Sequence, residues 1–160
     1  MSSAVGWGSP YERLRYTILA AQREGDRRLT EALRDVGLTT SQAEVLRVLE
    51  DQGPMTLREL GEYLICERGS PSRLVKTLIA AQLVAVSPDE TDGRAMRLTL
   101  TARGNRLTAR VRAVEIEFYA ALRRSLSTQC AEEISSVLGG LIAGTDGALA
   151  LARRSQSRAS

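Results

Sequence analysis

Residues Thr56 to Thr101 read TLRELGEYLICERGSPSRLVKTLIAAQLVAVSPDETDGRAMRLTLT, and this stretch decides the fold. Thr56-Leu57-Arg58-Glu59 has the form of a capping box, in which a hydroxyl and a carboxylate three residues apart satisfy free backbone amides at a helix start. It opens a short helix with Leu57, Leu60 and Leu64 inward. A turn from Ile65 to Gly69 follows, then a second helix to about Gln82 with Leu74, Val75, Leu78 and Ile79 inward. The start of that helix has two readings: Ser70-Pro71 offers an N-cap with proline at the first helical position, and Glu67 offers a cap one turn earlier. Leu83 to Ser87 and Ala95 to Leu100 read as short strands, joined by a turn from Pro88 to Arg94 with Asp92-Gly93-Arg94 at its tip. Two short helices and then a hairpin describe a winged helix-turn-helix, which lays its second helix in a DNA major groove.

Immediately upstream, Leu38-Thr39-Thr40-Ser41-Gln42-Ala43-Glu44 starts another helix with two overlapping capping boxes, Thr39 with Gln42 and Ser41 with Glu44. Val45, Leu46 and Leu49 form its buried stripe, and Gly53-Pro54 stops it. Farther back, Pro10 opens a long helical pattern through Arg34, with Leu14, Ile18, Ala21, Leu29 and Leu33 at helical spacing and Gly37 as a C-terminal cap. Downstream, Thr101 caps a long helix to about Ser125, whose Leu107, Val111, Val114, Phe118 and Leu122 approach a coiled-coil seam. Ser127 or Thr128 caps a last helix with Ile134, Val137, Leu138, Leu141 and Ile142 as its apolar residues. That helix also holds Gly139, Gly140, Gly144 and Gly147, each costing up to ~1 kcal/mol against alanine. Either it is kinked or frayed, or the glycines admit another helix closely. Residues 1–9 and the final RRSQSRAS read as tails.

The expected fold is therefore mostly α with a small β-wing. Residues 38–101 form the winged helix-turn-helix, and 10–37 with 102–153 form a helical dimerisation region, in a single unit spanning 1–160. The terminal helices carry apolar stripes that one small winged domain cannot bury, so a homodimer is expected.

Composition agrees with this and excludes other classes. The chain has 160 residues, 43% of them hydrophobic but only 4% aromatic, so leucine, valine and alanine must fill a helix-on-helix core. The net charge is +3, a modest bias. Lys76 is the only lysine and every other basic residue is arginine. Arginine's fork suits phosphate and guanine, although a GC-rich genome explains the same bias. There is no histidine, which removes the commonest metal ligand and general base. No phosphate-binding glycine loop is present either, since no strand precedes Gly139-Gly140. An enzyme is not expected, nor a cofactor, a metal or any catalytic residue. No stretch approaches the ~18 apolar residues of a membrane helix, and MSSAVGWGSP has no apolar core, so a cytoplasmic protein without a membrane partner is expected.

The residues proposed to meet DNA are Ser70, Ser72, Arg73, Lys76 and Thr77 on the outer face of the second short helix, and Arg94 on the wing. Arg73 is suited to guanine O6 and N7, Lys76 to phosphate, and the two serines to a base edge or phosphate near a helix start. Arg94 at an exposed tip suits a narrow minor groove. Gly93 permits the tight turn, and Asp92 is expected to support the wing by pairing with a nearby arginine. Taken singly these are a solvated helix face and an ordinary charged turn. In sequence with the preceding helix and following hairpin they point to DNA. Two cysteines make no disulfide framework. Cys66 lies in the turn between the short helices, where Arg68 lowers and Glu67 raises its pKa. Cys130 lies near a helix start, opposed by Glu132 and Glu133. Both read as small hydrophobes or, alternatively, as oxidant sensors.

The order of elements, the LRELGEYL…SPSRLVKTLIAAQLV stretch and the wing DETDGRAMRLTLTARG together resemble the MarR family of transcriptional regulators. That family's wing has the form D-x-R-x-x-x-L-x-L-T, matched by Asp92, Arg94, Leu98, Leu100 and Thr101, with Gly104 at the usual glycine after it. Leu38, Thr39 and Leu46 match the family's helix before the reading pair. The similarity covers roughly Tyr11 to Leu151. It implies a dimer built from the first and last helices and binding to double-stranded DNA at a pseudo-palindromic operator. It also implies repression of the chain's own or a neighbouring gene, and release by a small phenolic or lipophilic effector, a metal or oxidation. The competing expectation is a winged-helix protein-interaction module with no operator, against which Arg73 and Lys76 argue.

Overall fold

A computed structural model describes residues 8–66, 70–89 and 95–156. Helix α1 spans Pro10–Ala32, started by the Ser9 hydroxyl accepting from the Glu12 amide and by proline at its first position. It stops short of Arg34 because the chain tightens into a 3₁₀ turn, Arg34–Val36, which Gly37 closes. Helix α2 spans Thr40–Gln52, and its Thr39–Gln42 capping box is formed in both directions. The overlapping Ser41–Glu44 box does not form. The Ser41 hydroxyl donates to the Cys66 carbonyl, and Glu44 is buried beneath the amides of Ile65 and Cys66.

Strand β1, Met55–Thr56, leads straight into α3, Leu57–Gly61, through the complete Thr56–Glu59 box. Hydrogen bonds from the Thr56 backbone and hydroxyl hold the Glu59 carboxyl below its usual range. Helix α4 spans Pro71–Ala80, with Ser70 as N-cap and Pro71 at the first position. Of the two readings of its start, the proline one therefore describes the helix; Glu67 lies outside the described residues. Leu60, Leu74, Val75 and Leu78 are buried as expected, but Leu57 and Ile79 are not. At 100° per residue Ile79 falls beyond the arc from Leu74 to Val75, and Leu57 is the first residue after a strand, before the helix face is established.

Strands β2 (Val84–Pro88) and β3 (Met96–Leu100) form the wing, with Val84 opposite Leu100 and Val86 opposite Leu98. Strand β1 pairs on the other side of β3, Met55 against Leu98, so the sheet order is β1-β3-β2. β2 begins one residue later than expected because Leu83 is occupied elsewhere. Its amide donates to the Leu78 carbonyl, and its carbonyl accepts the Thr101 amide.

Thr101 caps α5, Ala102–Ser125, by accepting from the Gly104 amide at 2.9 Å. A Cβ at Gly104 would lie 2.1 Å from the Leu83 carbonyl oxygen, so glycine is what lets α5 start against the wing. Helix α6 spans Thr128–Leu141 with Ser127 as its cap, and α7 spans Asp146–Gln156. The single last helix expected from the sequence is thus two, broken where Gly144 takes a φ of +81°. Positions 139 and 140 face open space, so within this chain those glycines admit no close neighbour. The sequence RRSQ, read as tail, continues α7.

Two buried clusters organise the molecule. The larger joins α2, α3, α4 and the sheet around Leu46, Leu60, Leu78 and Leu98. The smaller joins the end of α1 to α5 through Leu33, Val36, Ala43 and Val111. Arg47 bridges α2 to α5 by pairing with Glu115 at 2.9 Å, and with Glu50 and Asp51 on its own helix. Away from these clusters the terminal helices leave apolar side chains bare: Leu14 and Ile18 on α1, Ile116 and Leu122 on α5, and Val137 (67% exposed) and Leu141 (61%) on α6.

Candidate nucleic-acid interface

Helix α4 divides cleanly into two faces. Leu74, Val75 and Leu78 enter the core, while Arg73, Lys76 and Thr77 are exposed, with Ser70 exposed and Ser72 half-buried at the helix start. Five of the residues expected to meet DNA are therefore brought together on one convex surface. Thr77 differs from its neighbours: its hydroxyl donates to the Leu74 carbonyl at 2.7 Å and accepts from Gln42 at 3.5 Å. That bond fixes α4 against the start of α2. The Ser70 side chain makes no capping bond, and the first amides of α4 follow it. Asp92, Gly93 and Arg94 lie outside the described residues.

The base of the wing is held by a pair that motif reading passed over. Asp89 is buried, its amide donates to the Ala95 carbonyl, and its carboxylate accepts from Arg97 Nη1 at 2.7 Å. Arg97 Nη2 also donates to the Pro54 carbonyl at 2.7 Å, tying the hairpin to the β1 edge. Arg97 is thus a strut between the wing and β1. Arg97 precedes the buried Leu98 on β3, and strand alternation alone gives such a position no partner.

Behind the reading unit, a cleft of about 160 Å³ opens between α1, α2 and α5, with α7 at its edge. Leu29, Leu33, Ala43 and Val48 give it apolar walls, Tyr119 an aromatic edge, and Arg47, Glu115, Glu44 and Arg154 its polar rim. None of Tyr11, Tyr16 and Tyr63 lines it. Tyr11 is exposed, Tyr16 lies under the Arg15 guanidinium, and Tyr63 packs on the larger core. Tyr119 was missed because its place depends on where α5 crosses α2.

Both cysteines are free thiols. Cys66 is exposed as a residue, yet desolvation of its sulfur, and next the Glu44 carboxylate, push the thiol up to about 11, with Arg154 only partly opposing. Raised thiol pKa values suppress the thiolate that oxidants attack, so this environment runs against oxidant sensing at Cys66. The Cys130 amide donates to the Ser127 hydroxyl within the α6 cap. Among the described residues no cluster of three or more metal-ligating side chains occurs, and no helix is long and apolar enough to cross a membrane.

Residues 38–104 match a model described as a winged helix DNA-binding domain. The transcriptional regulator SarZ of Staphylococcus epidermidis is 28% identical over 93 residues, covering 58% of this chain and 63% of that protein. The match therefore spans under two thirds of that relative. Among solved structures, a cysteine-to-serine variant of MarR from E. coli complexed with operator DNA superposes with a TM-score of 0.74, at 22% identity over 81% of this chain and 94% of that one. An organohalide-sensing transcriptional regulator with 2,4-dichlorophenol bound gives 0.74 at 18% identity, covering 91% and 90%. The domain model and these likenesses converge on a chain that carries a winged helix DNA-binding domain over residues 38–104 and shares the overall fold of MarR and related transcriptional regulators.

Proposed function

We propose that this chain works as a homodimer that binds a pseudo-palindromic operator, represses its own or a neighbouring gene, and is released by a small effector. The observation that carries the reading is the division of α4 into a buried apolar face and an exposed face bearing Arg73 and Lys76. A helix seated this way presents its N-terminal turns to the major groove. Arg73 then donates to a guanine edge, Ser70 and Ser72 to a base or phosphate, and Lys76 to the backbone. Thr77 sits at the margin of this surface. Arg94 is assigned to a minor groove, with Asp92 and Gly93 as its support in the wing. The MarR structure above, complexed with operator DNA, supports this docking by analogy.

The bare apolar residues of α1, α5 and α6 support the dimer, because a solvated chain gains about 25 cal/mol for each Å² of such surface removed from water. We assign residues 10–37 and 102–153 to that contact and 38–101 to reading. The cleft between α1, α2 and α5 is the place for the effector. Its volume is close to that of a protein cavity that takes one benzene ring, which suits a small phenolic or lipophilic molecule. The dichlorophenol-bound relative supports the same class.

Fluorescence anisotropy tests the reading, using DNA from upstream of the gene against a scrambled duplex near physiological salt. Tight binding to the native duplex alone is the expected result. Equal, weak binding to both is what electrostatics alone gives, and would return the protein-interaction reading. Sedimentation of Val137→Glu, expected to be monomeric, tests the assembly.

A further inference from the structure

The turn between α3 and α4 is fastened from two sides. From α2, Glu44 accepts the Ile65 amide at 2.9 Å and the Cys66 amide at 2.8 Å, while the Ser41 hydroxyl donates to the Cys66 carbonyl at 3.2 Å. From α7, Arg154 Nε donates to the Tyr63 carbonyl at 2.9 Å and Arg154 Nη2 donates to Glu44 itself. The Glu44 side chain is only 5% exposed, and Arg154 is the cation that pairs with it. A carboxylate this buried is retained only when charged and fully bonded partners surround it. The link joins residues 110 apart in sequence, and it holds residues 63–66, which follow α3 and lie four positions before Ser70, the N-cap of α4.

We infer that Glu44 and Arg154 are positioning residues for DNA reading: they clamp the α3–α4 turn to the C-terminal helix and so fix the entry and aim of α4. This rests on the reading of α4 as the DNA-contacting helix. The clamp also connects three parts of the molecule. Helix α7 holds the turn on one side and leaves Leu149 and Leu151 exposed on another, so it belongs to the bare apolar region of the terminal helices. Glu44 and Arg154 line the cleft behind the reading unit as well. A shift of α7, or a molecule seated in that cleft, therefore acts directly on the segment preceding α4. The neighbouring contact is different in kind: Arg153 pairs with Glu62 at 2.9 Å with both side chains well exposed, and such a pair contributes little.

Two measurements on the full chain test the clamp. Arg154→Met keeps the aliphatic stem and removes the guanidinium at a partly exposed site, so the fold is expected to survive, as judged by thermal melting of the core. Hydrogen exchange without DNA then reads the amides of Ile65 and Cys66, which the clamp should protect. Loss of a charge-assisted bond predicts exchange there about tenfold faster or more, with α2 core amides unchanged. Affinity for the native upstream duplex should fall by a similar factor while binding to a scrambled duplex stays as in the wild type. Arg154→Lys should restore part of both, and Arg153→Ala should alter neither. Unchanged protection in Arg154→Met overturns the clamp. Faster exchange with unchanged DNA affinity overturns its positioning role. If the wild type discriminates between no duplexes, the reading of α4 fails instead, and the exchange result still decides the clamp.

Discussion

Replacing Gly104 by alanine is expected to destabilise the protein, although the position is helical and alanine is the better helix former. An added Cβ would sit 2.1 Å from the Leu83 carbonyl oxygen and 3.1 Å from its carbonyl carbon, both backbone atoms that cannot rotate away. Ordinary carbon–oxygen contact needs more than an ångström of further separation, so α5 must retreat from the wing. That retreat opposes the Thr101 amide bond to Leu83 at 3.1 Å and the Thr101 hydroxyl bond to Gln82 at 2.7 Å. Overpacking costs about 1–3 kcal/mol and weakening two hydrogen bonds about 1–2 kcal/mol. The helix-propensity gain of ~1 kcal/mol offsets part of this, leaving roughly 1–4 kcal/mol of net loss. For a chain of this size that is a fall in Tm of about 2–16 °C in a scanning calorimeter. Gly139→Ala and Gly140→Ala, at positions facing open space in the single chain, serve as opposite-sign controls, each expected to gain up to ~1 kcal/mol. A Gly104→Ala protein as stable as the wild type, or more so, would refute the close approach of α5 to Leu83.

Three further outcomes are expected. Cys66, with its thiol near 11 against an ordinary 9.0, should carry about a hundredfold less thiolate at neutral pH; alkylation correspondingly slower than that of a free peptide cysteine is predicted, and equal rates would count against the Glu44 environment. Arg97→Met removes the guanidinium that pairs with the buried Asp89 carboxylate and should cost about 1.5–3 kcal/mol by urea denaturation, with β2 and β3 amides exchanging faster; an unchanged midpoint would mean that the strut is idle. The Glu59 carboxyl is lowered on folding, so its cap contributes fully above the unfolded carboxylate pKa and is lost as pH falls through the lower folded value. The stability difference between the wild type and Glu59→Gln should therefore shrink on acidification below about pH 4, and a difference constant from pH 7 to 2 would contradict the cap.

Much of the architecture was legible because local chemistry and tertiary structure agree. The Thr39–Gln42 and Thr56–Glu59 boxes, Thr101 and Ser127 each mark a helix start by satisfying free amides that any helix exposes, whatever surrounds it, and Pro71 marks one by having no amide to satisfy. The α4 face was legible for the same reason, since one apolar stripe defines its opposite. What escaped depends on partners distant in sequence. Glu44 looks like the end of a capping box until the amides of Ile65 and Cys66 are brought over it. Arg154 looks like part of a tail until α7 folds back on the turn. β1 is two residues long and has no period to read. Gly144 could be recognised as costly to a helix, but only its positive φ distinguishes a break from a packing contact.

The account stands or falls on Arg73 reading a base. Once a native duplex is in hand, anisotropy titrations of the wild type and Arg73→Ala should be run against it and against variants with each guanine of one half-site replaced in turn. The expected result is a loss of about 1–3 kcal/mol in affinity for the native site, with the mutant indifferent to one guanine that the wild type requires. If Arg73→Ala keeps the wild type's full preference at every position, α4 does not meet the DNA as described.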